Sequence, residues 1–171
     1  FGQNNIGLTG SGVLDAELTQ AWNVGGDFQR ILEPLVAAGA PPEQRIIPRH
    51  GALRSAFVEP YRCTNVLIQG ITLRQSQFWQ IHPTLCSNVT VDSVTTGATA
   101  NLNTDGCNPE SCDHVVIKSC TFDAAVDCIA IKSGRDDDRR RVHGPPQSIV
   151  SFSRTINGPA AATTVVSELR A

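Results

Sequence analysis

The apolar positions of this chain fall in short runs that repeat. Three segments align: Cys63-Thr64-Asn65-Val66-Leu67-Ile68-Gln69-Gly70-Ile71-Thr72, Cys86-Ser87-Asn88-Val89-Thr90-Val91-Asp92-Ser93-Val94-Thr95, and Cys112-Asp113-His114-Val115-Val116-Ile117-Lys118-Ser119-Cys120-Thr121. In each, apolar residues stand three and five places after the leading cysteine, the alternation of a strand with one face inward. The next apolar residue stands eight places after it, so the phase slips at a small Gly or Ser. A slip there predicts a corner, followed by a second short strand. The segments succeed one another at steps of 23 and 26 residues. Asn5-Ile6-Gly7-Leu8-Thr9-Gly10 is a shorter echo, and Ser148-Ile149-Val150 a last trace.

Short strands, corners and a constant step predict an all-β solenoid, a right-handed parallel β-helix, with successive coils about 4.8 Å apart. One coil cannot bury its inner face alone, so stacking supplies the core. A β-sandwich with fortuitous similarity is the alternative. At this step the chain makes about seven coils. Residues 27–38 depart from the pattern: Phe28, Ile31, Leu32, Leu35 and Val36 follow Asp27 at helical spacing, and Gly39 and Pro41-Pro42 form a stop. Pro34 interrupts the run, which predicts a short or kinked helix packed on the side of the solenoid in a structural role.

Composition narrows the class. The 171 residues suit a single β-helix domain over 1–171. With 14 Lys+Arg against 16 Asp+Glu the net charge is -2, which argues against a basic nucleic-acid face. No apolar run approaches the ~18 residues of a membrane span, and Phe1 does not open a signal peptide. There is no Met, and both ends break into the pattern, so the chain is expected to be an incomplete portion of a longer solenoid. The six cysteines permit three disulfides, but their place in the repeat predicts stacked, buried thiols. No zinc-ligand spacing occurs, so no structural metal is expected.

Two carboxylates could carry chemistry. Asp105 lies in Asn103-Thr104-Asp105-Gly106 and Asp127 in Val126-Asp127-Cys128-Ile129-Ala130-Ile131, 22 residues further on. That is close to one coil, so the two stack on one face, where like charges raise a pKa and a water can be held between them. Such a pair suits general-base work in glycoside hydrolysis. Each Asp could equally cap a corner, as Asp-Gly does in many turns.

The motifs Asn103-Thr104-Asp105-Gly106, Pro109-Glu110-Ser111-Cys112, Cys120-Thr121-Phe122-Asp123 and Asp127-Cys128-Ile129-Ala130-Ile131-Lys132-Ser133-Gly134-Arg135 resemble the family-28 glycoside hydrolases, the polygalacturonases. Pro60-Tyr61-Arg62-Cys63-Thr64-Asn65-Val66-Leu67-Ile68, Phe78-Trp79-Gln80-Ile81-His82-Pro83 and Leu35-Val36-Ala37-Ala38-Gly39 resemble the bacterial branch. The resemblance runs from about residue 5 to 150. It implies a pectate-lyase-like β-helix and inverting hydrolysis of α-1,4 links between galacturonic acids. It also implies a pectic polysaccharide or oligogalacturonide partner, a monomer, no cofactor, and an extracellular or periplasmic location for the full-length protein.

Carried over by position, the resemblance makes Asp105 and Asp127 the water-activating carboxylates. The family's proton donor immediately precedes the second of these, and here that position is Val126. Pro159-Ala160-Ala161 stands where the family has Gly-His-Gly, ahead of Val166-Ser167-Glu168-Leu169; His143 comes too early to replace it. The family's Arg-x-Lys clamp would fall beyond Ala171. Activity is therefore expected to be impaired, and a binding pseudoenzyme or a purely structural solenoid are the alternatives.

Lys132 and Arg135 are candidates for the substrate carboxylates, while Arg139-Arg140-Arg141 beside Asp136-Asp137-Asp138 reads equally well as a self-neutralised loop. Asn103 either orients substrate or belongs to a corner. Trp79 and His82 are expected to pack at a coil edge, and His114, which takes the place of an asparagine, to sit at a corner.

Overall fold

A computed structural model describes residues 1–17, 28–41, 44–45, 55–97, 103–135, 147–157 and 163–168, with the backbone alone at 28–30, 135 and 164–168. Twelve strands and one helix follow in order: β1 (Asn4–Thr9), β2 (Val13–Asp15), α1 (Phe28–Ala37), β3 (Thr64–Gln69), β4 (Thr72–Arg74), β5 (Ser87–Asp92), β6 (Thr95–Thr96), β7 (Asp113–Lys118), β8 (Thr121–Asp123), β9 (Ala130–Arg135), β10 (Gln147–Phe152), β11 (Thr155–Asn157) and β12 (Thr164–Glu168). Every pairing is parallel, in one sheet of order β1-β3-β5-β7-β10, a second of order β11-β8-β6-β4-β2, and the pair β12-β9. Single bridges extend a third wall through Val58, Ile81, Cys107 and Ile129, and through Tyr61, Thr84, Glu110 and Lys132. The result is the expected right-handed parallel β-helix.

Register turns the sequence repeat into columns of like side chains. Ile6, Val66, Val89, Val115 and Ile149 stand in line, as do Leu8, Ile68, Val91 and Ile117. The central members of both columns are fully buried, and the end members Ile6, Leu8 and Ile149 only half so. β-Branched residues fit because their restricted χ1 suits a pleated wall packed on both sides. Thr96 interrupts the column Leu73–Thr96–Phe122, and its hydroxyl accepts a bond from the Asp123 N–H at 3.3 Å.

The corners fall where the phase slips. Gly70, Ser93, Ser119 and Ser153 all have positive φ, and so do Asn5, Asn65, Asn88, His114 and Ser148 at 52–56°. A left-handed non-Gly residue costs roughly 1–2 kcal/mol. Asparagine offsets this with a ladder: Asn65 Nδ2 donates to Asn5 Oδ1 at 2.7 Å, and Asn88 Nδ2 to Asn65 Oδ1 at 2.6 Å. His114 leaves that ladder and turns Nδ1 to its neighbour Asp113 at 2.8 Å.

The six cysteines are buried free thiols. Three form a ladder of their own. The N–H of Cys63 donates to the Cys86 sulfur at 3.3 Å, and the N–H of Cys86 to the Cys112 sulfur at 3.4 Å. Burial pushes the Cys107, Cys120 and Cys128 thiols up, away from the reactive thiolate.

The strand count differs from the expectation of seven coils. The main sheet has five strands among the described residues, because the register jumps from Asn4 to Thr64 and from Asp113 to Gln147. Helix α1 runs through Pro34 and ends in a Schellman motif, with Gly39 at φ 70° donating to Val36 at 2.9 Å and Ala40 to Leu35 at 3.0 Å. It contributes no member of the buried core among the described residues, and Ile31, Leu32 and Leu35 are half-buried. It is also too short to cross a membrane, and no described helix is long and apolar enough to do so.

The ladder makes a testable pair. Asn88→Ala should lower stability by about 1–3 kcal/mol in denaturant unfolding, through lost hydrogen bonding and a strained corner. His114→Asn, which lets the ladder continue onto Asn88, should raise it by about 0.5–1.5 kcal/mol.

Candidate active site

The third wall positions the carboxylates. Cys107 bridges to Ile81 on one side and Ile129 on the other, which aligns Trp79, Asp105 and Asp127 in three successive coils. Backbone bonds fix the alignment: Gln80 N–H donates to the Asp105 carbonyl at 3.0 Å, and Gly106 N–H to the Asp127 carbonyl at 3.0 Å. Gly106 is required there. A Cβ at this position would run into the carbonyl oxygen of Cys128 and come within 2.9 Å of the Phe122 ring.

Asp105 is 3 % exposed, and its carboxyl is surrounded by groups of opposing effect. Burial raises its pKa and is the largest influence; a hydrogen bond from Asn108 and the charge of Lys132 lower it, the charge of Asp127 raises it, and the Asp127 backbone N–H lowers it again. The net shift is upward. Asn108 Nδ2 donates to Oδ2 at 2.6 Å, and Lys132 Nζ stands 3.7 Å from the same oxygen. The sequence-predicted pair therefore does come together, with Asp127 half-buried and next to Val126, which is also half-buried.

Lys132, a predicted substrate contact, lies beside the Asp105 carboxylate. Its ammonium also lies 4.3 Å from the centre of the Trp79 ring, a cation–π contact. Asn103 is half-buried two residues before Asp105. Arg135 ends β9, three residues beyond Lys132, and its side chain lies outside the described residues. So do positions 136–146 and 158–162, which hold the charged run, His143 and the Pro159-Ala160-Ala161 segment.

Trp79 and His82, expected as edge packing, also border this site. The Trp79 indole stacks on Phe78 at 4.4 Å and meets the His82 ring edge-on at 4.8 Å. His82 lies between two glutamates, with Nε2 2.9 Å from Glu110 and Nδ1 3.7 Å from Glu59. Sequence reading missed the link from Trp79 to Asp105, although their separation equals the step from Cys86 to Cys112. It also missed Asn108, since an Asn after Asp-Gly-Cys reads as a turn residue.

Fold and site together define a β-solenoid with a stacked carboxylate pair on one wall. Residues 49–142 match glycosyl hydrolases family 28, and the chain belongs to that family. A probable polygalacturonase of Vitis vinifera is 31 % identical over 110 residues, 64 % of this chain and 22 % of that protein. An exopolygalacturonase of Thermotoga maritima superposes with a TM-score of 0.89 at 32 % identity, over 97 % of this chain and 41 % of its own. A family 28 exopolygalacturonase of Yersinia enterocolitica shares the fold, with a TM-score of 0.71 at 21 % identity over 96 % of this chain and 32 % of its own. The chain thus spans less than half the length of each of these relatives.

Two substitutions test the geometry. Gly106→Ala should cost about 1–3 kcal/mol of stability, because the new methyl group meets backbone and a buried ring. Asp105→Asn should raise the melting temperature at pH 7, since a buried carboxylate with a raised pKa opposes folding when ionised. The gain should close as the pH falls below the ordinary carboxylate value of 3.8, where the group is neutral in both states.

Proposed function

We propose that this chain is part of a pectin-degrading glycoside hydrolase of polygalacturonase type, acting on α-1,4-galacturonosyl links with inversion. The observation that carries this reading is the stacking of Asp105 and Asp127 in successive coils, with Lys132 beside them. Two carboxylates on one wall can orient a water and take its proton as it attacks the anomeric carbon. Lys132, and by sequence position Arg135 and Asn103, are the candidates for meeting the uronate groups of the substrate. A polymer of this kind is met outside the cell, which places the enzyme in an extracellular or periplasmic setting.

Inversion also needs an acid on the far side of the bond, about 6.5–9.5 Å from the base, to protonate the leaving oxygen. In this chain the donor position is Val126, which has no proton to give. General-acid catalysis is worth roughly 10²–10⁴-fold, so turnover is weak or absent. Val126 also favours a second reading, a pseudoenzyme that holds oligogalacturonate without cutting it. A structural solenoid that binds no sugar is the third.

Calorimetric titration with short oligogalacturonates and a reducing-sugar assay on the same preparation separate the three. Binding with little or no turnover is the expected result, and turnover near that of an intact family member would refute the impairment. Val126→Asp should then raise hydrolysis by up to roughly 10²–10⁴-fold if the acid is the limiting loss. No binding by either form would leave only the scaffold.

A further inference from the structure

Asn108 is fully buried, yet its amide is only half used. Nδ2 makes the 2.6 Å bond to Asp105 Oδ2, while Oδ1 has no hydrogen-bond partner among the described residues. An unsatisfied buried amide oxygen costs on the order of 1–3 kcal/mol, so an apolar residue of similar size would serve the core better. What Asn at this position supplies is a donor aimed at a carboxylate. The backbone of the same residue is independently anchored, its N–H donating to the Ile81 carbonyl at 2.7 Å in the preceding coil. The amide is therefore held rigidly, and Asp105 is gripped at one oxygen from two sides, by Asn108 and by Lys132.

From this geometry we infer that Asn108 is a positioning residue for Asp105: its amide fixes the carboxyl in place and favours the ionised form that a general base needs. The inference rests on the proposed role of Asp105, and it assigns to Asn108 a task that a turn residue would not have. Lys132 alone is a poorer clamp. Its ammonium stands 3.7 Å away and is shared with the Trp79 ring. A charge-assisted hydrogen bond of 2.6 Å fixes orientation as well as charge.

Carboxyl carbon NMR titration tests this without substrate, using Asp105→Asn to identify the Asp105 resonance. In Asn108→Leu the Asp105 carboxyl should titrate at higher pH than in the parent protein. Asn108→Ser, whose hydroxyl can still donate, should fall between the two. If Asn108→Leu does not fold, an upward shift in Asn108→Ser supports the inference by itself. An Asp105 titration that does not move in the folded variants would overturn it, leaving Asn108 as a turn residue. Failure to bind or cut oligogalacturonate would count against the proposed function alone, because the titration involves neither.

Discussion

Parallel stacking in strict register is the constraint on which this molecule depends. Each coil has an inner face that nothing inside the same coil can cover, so its only cover is the coil above and the coil below. Val89 and Val91 are fully buried because both neighbouring coils are present and aligned. A slip of one residue would turn each column outward. Register is held at the corners, where left-handed residues recur at the same point of each coil and the asparagine and cysteine ladders bond across it.

The site is a by-product of the same rule. A step of one coil brings residues distant in sequence to about 4.8 Å in space, so acidic residues at equivalent positions must face one another. Stacking thus supplies both the proximity of Asp105 and Asp127 and the repulsion that must be offset. The offset comes from fixed partners: an amide, an ammonium and a backbone N–H around one buried carboxyl. An electrostatically tuned group is thereby built from side chains and backbone that the stacking itself holds in place.

The fold was largely legible in the sequence because the solenoid writes its register into the chain. The slip at Gly70, Ser93 and Ser119 marked the corners, and the exchange of asparagine for His114 marked a left-handed position. The number of strands in the main sheet was not legible, since a uniform step cannot reveal that the register jumps from Asn4 to Thr64 and from Asp113 to Gln147. In the site, the carboxylate pair followed from spacing. The Lys132–Trp79 contact and the Asn108 grip did not, because they depend on side-chain direction on a wall made of isolated bridges instead of long strands.

The length of chain between β2 and β3 bears on how the molecule assembles. Closing a loop costs entropy that grows only with the logarithm of its length, about 0.6 kcal/mol for each doubling. The first coil can therefore dock onto the second across 60 residues for little more than an ordinary step demands. A solenoid can thus take up a long insertion between two coils as long as the strands on either side keep their register.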